Sequence, residues 1–133
     1  MSLARQLADV LGRVVSVEIE DDGALTVRHD DTFASLRTVA IADGLELLSL
    51  TQMLAWDLTP DEDLRKSVAA QAARTMLGTV TLLEQPIGGA TGEHAEVVLR
   101  YNFPYRGLDD EALQTLVMMV LATGADIRRA LVA

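Results

Sequence analysis

The spacing of apolar residues separates helical from extended stretches along this chain. From Asp109 to Leu131, Leu113, Leu116, Val117, Val120, Leu121, Ile127 and Leu131 recur at helical intervals. They form one stripe that has to be buried, and a sheet is the cover to expect. Asp109, Asp110 and Glu111 open this segment and Arg128 and Arg129 close it, so the charges oppose the helix macrodipole at both ends. Met118, Met119 and Ala122 fall off the stripe and leave a second apolar surface that a partner chain or peptide could use. At the other end of the chain, Leu3, Leu7, Val10 and Leu11 describe a short one-sided helix stopped by Gly12.

Between these helices the period changes to two. VVSVEIE and ALTVRHD flank Asp22-Gly23, a dipeptide suited to a type I′ hairpin turn; Val14–Glu20 either pairs as the first strand or only prolongs the entry to the sheet. Asp43-Gly44 repeats the turn chemistry between FASLRTVAIA and LELLSL, which predicts an antiparallel meander. LELLSLTQMLAWDL contains helix formers, yet as a helix it would be apolar nearly all round. A strand from about Leu45 to Leu50, running irregularly towards Trp56, fits better.

Thr59-Pro60-Asp61-Glu62 then reads as a capping box with Thr59 as N-cap, opening a helix that carries Leu64, Val68, Ala72 and Met76 and ends near Gly78. GTVTLLEQ and EHAEVVLRYNF are two further strands joined by the glycine-rich PIGGATG. In the second of them Ala95, Val97, Leu99, Tyr101 and Phe103 alternate with Glu96, Arg100 and Asn102, the pattern of a sheet with one buried face, and Pro104 stops it. The order is α-β-β-β(-β)-α-β-β-α. Strands grouped without alternating helices predict one α+β domain over 1–133, with a mainly antiparallel sheet of five to six strands and helices packed on it.

Composition narrows the function classes. Twenty acidic against eleven basic residues give a net charge of −9, a field that repels phosphate backbones and anionic lipid, so neither nucleic acid nor membrane is expected as partner. The hydrophobic share is 50% but the aromatic share only 4%, so the core must be built of Leu, Val and Ala. Cysteine is absent, which excludes disulfides, thiolate nucleophiles and cysteine metal sites. The amphipathic N-terminus MSLARQLADVLGR lacks the apolar run of a signal peptide, and no stretch approaches the ~18–20 apolar residues of a membrane span. A cytoplasmic protein is expected.

Candidate chemistry is sparse, and no catalytic residue, metal or cofactor is expected. The histidines are His29 and His94. His29-Asp30-Asp31, near Asp21 and Asp22, could bind a cation at the turns between strands. Aspartates also favour such turns for their own local hydrogen bonds, and the spacing matches neither a zinc signature nor an EF-hand. Gly88, Gly89 and Gly92 lack the Lys-Ser/Thr of a phosphate loop and a following helix, so a plain hairpin loop is the simpler reading. Arg28, Arg37, Arg100 and Arg106 are either a basic strip on the outer face of the sheet or ordinary solvated and salt-bridged side chains. Trp56 shares one side of its extended segment with Leu48, Leu50, Leu54 and Leu58, either as core or as an apolar groove. Leu45, Leu47 and Met53 occupy the other side, and two apolar faces on one strand need two covers: a helix for one, and another helix, a second subunit or a peptide for the other.

Two stretches, Leu36–Gly78 and Arg100–Ile127, resemble YbjN-like bacterial proteins, the group related to type III secretion chaperones. The resemblance rests on hydrophobic spacing, the Arg-Tyr-x-x-Pro segment Arg100–Pro104 and the Gly-Leu-Asp-Asp entry at Gly107–Asp110. It implies an α+β fold with helices on one side of a curved antiparallel sheet, dimerisation, and a role in binding peptides or regulating another protein. The expectation is therefore a non-enzymatic peptide- or protein-binding module, chaperone-like or regulatory, acting as a homodimer. Leu48, Leu50, Leu54, Trp56, Leu58, Met118 and Met119 are its candidate contact residues. The alternative is a small-ligand or divalent-metal-dependent enzyme or sensor centred on His29, Asp30 and Asp31.

Overall fold

Alternating apolar residues make six strands here, and three amphipathic segments make the helices that cover them. The computed structural model describes residues 3–86 and 93–132. Its elements are α1 (Leu3–Leu11), β1 (Ser16–Ile19), β2 (Leu25–His29), β3 (Thr32–Ala42), β4 (Leu45–Leu58), α2 (Glu62–Arg74), β5 (Thr79–Pro86), β6 (Glu93–Pro104) and α3 (Asp110–Val132). The strands form one antiparallel sheet in the order β1-β2-β3-β4-β6-β5. The α+β architecture and element order expected from the sequence are those observed. Ser16–Ile19 does pair, with β2, which resolves the open choice about the first strand.

Local chemistry explains the boundaries and corrects several of them. Asp22-Gly23 is not a type I′ turn, since only Gly23 takes a positive φ (88°). Gly23 N–H donates to Glu20 O at 3.0 Å and Glu20 N–H to Ala24 O at 2.8 Å, which is a longer loop with glycine at its left-handed corner. The two-residue turn with both φ positive lies instead at Asp30 (43°) and Asp31 (63°), between the register partners His29 and Thr32. Aspartate is one of the few side chains that tolerates this region. β4 runs well past Leu50, to Leu58, with register shifts between Met53 and Ala55 and again before Leu58. The N-cap of α2 is Asp61 rather than Thr59: its carboxylate accepts from Leu64 N–H at 2.8 Å, and the helix ends at Arg74, so Met76 lies beyond it in solvent. Asp109 caps α3 in the same way, through Ala112 N–H at 2.7 Å.

All three helices pack on one face of the sheet. α3 lies across β2, β3 and β4, with α1 beside it over β1 and α2 beside it over β5. Leu113, Val117, Val120, Leu121 and Ile127 of α3 are buried against Leu25, Val27, Leu36, Leu48, Leu50, Leu54, Val97 and Leu99, a core of aliphatic side chains with Phe103 as its one aromatic member. Each fully buried Leu or Val contributes about 1.5–3 kcal/mol. Gln114 Nε2 donates to Val10 O at 2.7 Å and fastens α1 to α3, while Arg65 and Glu84, at 2.6 Å, fasten α2 to β5.

An amide side chain interrupts this core. Gln52 of β4 is fully buried, and its Nε2 donates to Thr32 Oγ1 at 2.9 Å and to Leu121 O at 3.1 Å. Its Oε1 has no partner among the described residues and lies directly under Gly124 of α3, where an added Cβ would overlap it. The glycine is therefore what lets the helix lie over the amide. Gly124→Ala is expected to lower stability by about 2–3 kcal/mol in urea denaturation. Gln52→Ala in the same chain should recover part of that loss, so the two changes together cost less than their sum. Simple additivity would refute the contact.

Candidate functional site

Because side chains alternate along a strand, covering one face with helices leaves the other to solvent. In β3 and β4 the even-numbered residues from Thr32 to Leu36 and from Leu48 to Leu54 point to the helices and are buried. The odd-numbered ones point away. On this bare face Phe33 is 41% exposed, Val39 37% and Leu45 44%, while Leu47 and Met53 are half-buried; Ile41, 57% exposed, lies at the register shift between Ala40 and Ala42, where the alternation breaks.

The register arranges the face in rows that cross the strands. One row is Arg28, Phe33, Met53, Val98 and Thr81. The next is Glu18, Thr26, Ser35, Thr51, Arg100 and Thr79, a band of hydroxyls with an acidic end on β1 and a basic residue on β6. Further along, Val39, Leu47 and Pro104 make a second apolar row. The first two rows enclose a shallow depression of about 560 Å³, with Glu18, Glu20, Arg28, Phe33 and Met53 in its wall. Thr26 Oγ1 donates to Glu20 Oε1 at 2.8 Å, which brings a second carboxylate to the acidic end.

The seven contact residues chosen from the sequence do not come together. Leu48, Leu50 and Leu54 are wholly buried beneath α3 and offer no surface, which corrects their reading as a groove. Trp56 does not share their side: the register shifts after Met53 break the alternation and turn its ring out beyond the edge of β3. There it meets Phe33 at 5.8 Å between ring centroids and carries the Arg128 guanidinium 4.9 Å over its face. Leu58 and Met118 are half-buried against the core. Met119 is exposed, on the outer side of α3. The apolar surface of the bare face is instead two patches, Phe33 with Met53 and, beyond the rows of Ser35 with Thr51 and Arg37 with Ser49, Val39 with Leu45 and Leu47. Leu45, Leu47 and Met53 follow from the need of β4 for two covers; Phe33 and Val39 were legible as odd positions of FASLRTVAIA.

The alternative centre is a turn. Asp30 and Asp31 are its two corner residues, and His29 Nε2 lies 3.6 Å from Asp30. Asp30 also lies 3.7 Å from Arg129. Among the described residues no three His, Cys, Asp or Glu side chains converge as a metal would require. The glycine loop Gly88, Gly89 and Gly92 lies outside the described residues. Of the four arginines, Arg37 pairs with Asp22 at 3.3 Å and Arg106 with Glu46 at 3.8 Å; Arg28 and Arg100 have no ion pair among the described residues, and hydroxyl and apolar side chains of β3 and β4 lie between them. Among those residues, too, no helix is long and apolar enough to cross a membrane.

No protein-family model matches the chain, and no curated protein matches it significantly. A solved structure does. The crystal structure of YbjN from E. coli, described as "a putative transcription regulator", aligns with 93% of this chain and 84% of its own, at a TM-score of 0.57 and 17% sequence identity. This chain has a YbjN-like fold. The likeness extends over nearly the whole domain, and at this identity it is a likeness of architecture. The YbjN-like arrangement expected from Leu36–Gly78 and Arg100–Ile127 is thus the one observed.

One electrostatic contact edges the site. The Ala24 amide, donating to Asp22 Oδ1 at 3.0 Å, holds the Asp22 carboxyl below its ordinary 3.8; desolvation opposes this, and the Arg37 charge adds to it. A carboxyl lowered in the folded state stabilises above its unfolded value and loses that contribution as pH falls through the folded one. Asp22→Ala should accordingly melt below wild type at about pH 7, with the gap narrowing by about pH 3. A gap independent of pH would contradict this.

Proposed function

We propose that the chain is a non-enzymatic binding module, working as a homodimer and regulating or sheltering another protein through protein–protein contact. The observation that carries this reading is the bare face of the sheet. A single helix layer leaves the face that bears Phe33, Val39 and Leu45 in solvent, as two apolar patches with a polar band between them, and a bare face of this kind fits association. The YbjN-like fold adds support for a regulatory role, since the E. coli protein is itself described as "a putative transcription regulator". A protein or peptide partner fits the acidic, aliphatic character of the chain better than nucleic acid does, given its charge of −9.

Sedimentation equilibrium should give the mass of two copies. Val39→Asp, at an exposed position on that face, should lower association while leaving the circular dichroism spectrum unchanged; Met119→Asp, on the outer side of α3, should leave association unchanged. The chain should also slow the aggregation of a reduced, unfolded test protein. A wild type that stays monomeric at every concentration reached and has no effect on that aggregation would sink the reading.

A further inference from the structure

We infer that the bare sheet face is covered by a second copy of the same chain, related by a two-fold axis that lies in the face, parallel to the strands and between β3 and β4. This rests on the binding-module reading and assigns one of its contacts. Two observations select the occupant and the axis. The first is size: six strands about 4.8 Å apart make a face roughly 30 Å wide, and four to five rows of side chains make it about 25 Å long, so it offers about 750 Å² per partner. A stable interface takes about 800 Å² per partner.

The second observation is the distribution of charge. Glu18 and Glu20 mark the β1 end of the face, and Arg100, without an ion pair among the described residues, lies across the sheet on β6. A two-fold running across the strands would lay the acidic end on its own image, which costs several kcal/mol in like-charge contact. A two-fold along the strands between β3 and β4 exchanges β2 with β6 instead. Thr26 then faces Arg100 of the second copy, and the carboxylates flanking Thr26 close on that guanidinium, twice per dimer. The same operation lays Phe33 on Met53, Ser35 on Thr51 and Val39 on Leu47, so apolar rows meet apolar rows and hydroxyls meet hydroxyls. Two twisted sheets packed in this way sit near the −30° of aligned sandwiches, with the helix layers outermost.

A charge exchange tests the geometry. Arg100→Glu in one chain, and Glu18→Arg with Glu20→Arg in another, alter exposed side chains only, and both proteins should retain the wild-type circular dichroism spectrum. Each alone should raise the dimer dissociation constant about tenfold or more, because like charges now meet at both contacts. Mixed in equal amounts they should form a heterodimer of near wild-type affinity. At one of its two contacts the introduced carboxylate then faces the two introduced guanidinium groups of the other chain, and at the second contact native Arg100 faces native Glu18 and Glu20. A wild-type dimer that neither variant weakens overturns this interface and leaves the binding-module reading standing. Variants that weaken association without rescue on mixing overturn the two-fold. A monomeric wild type overturns the inference outright, and the binding-module reading falls with it only if aggregation of the test protein is also unaffected.

Discussion

The aliphatic stripe of α3, laid across β2, β3 and β4, is the contact on which the rest of the structure depends. Leu113, Val117, Val120, Leu121 and Ile127 meet Leu48, Leu50 and Leu54 from the sheet, and with so few aromatic residues the chain has no other comparable mass of buried side chains among the described residues. Everything else is arranged around that layer. α1 and α2 flank α3 and close the ends of the core over β1 and β5. Three helices suffice for one face of six strands, so the other face is bare as a consequence of layer count.

The sequence was legible where local chemistry and burial agree. The helical period of α3 and the alternation of Ala95 to Phe103 in β6 each follow from one dominant pattern. Elements were misread where two signals competed. Asp22-Gly23 has the composition of a type I′ turn, yet the neighbouring register uses a longer loop, and the tight turn goes to Asp30-Asp31, whose composition is less typical. Pro60 drew the start of α2 too early, although Asp61 was the better-placed acceptor.

The candidate surface shows the same limit. That β4 carries apolar residues on two sides is plain from its sequence, but which side the helices take depends on long-range pairing that spacing does not encode. Counting straight along LELLSLTQMLAWDL puts Trp56 with Leu54. The shifts after Met53 separate them, sending Leu54 inward and Trp56 to the rim beside Phe33 and Arg128. Bulges of this kind cost local hydrogen bonds and re-aim side chains, and nothing in the local composition announces them.

The fit of Gly124 over Gln52 has a mechanical consequence. Sliding α3 along the sheet by one turn, about 5.4 Å, would bring Val120 or Arg128 onto the amide in place of the glycine, and neither leaves room for it. The helix is indexed to a single station, so a one-turn ratchet of α3 along the sheet is closed to this domain.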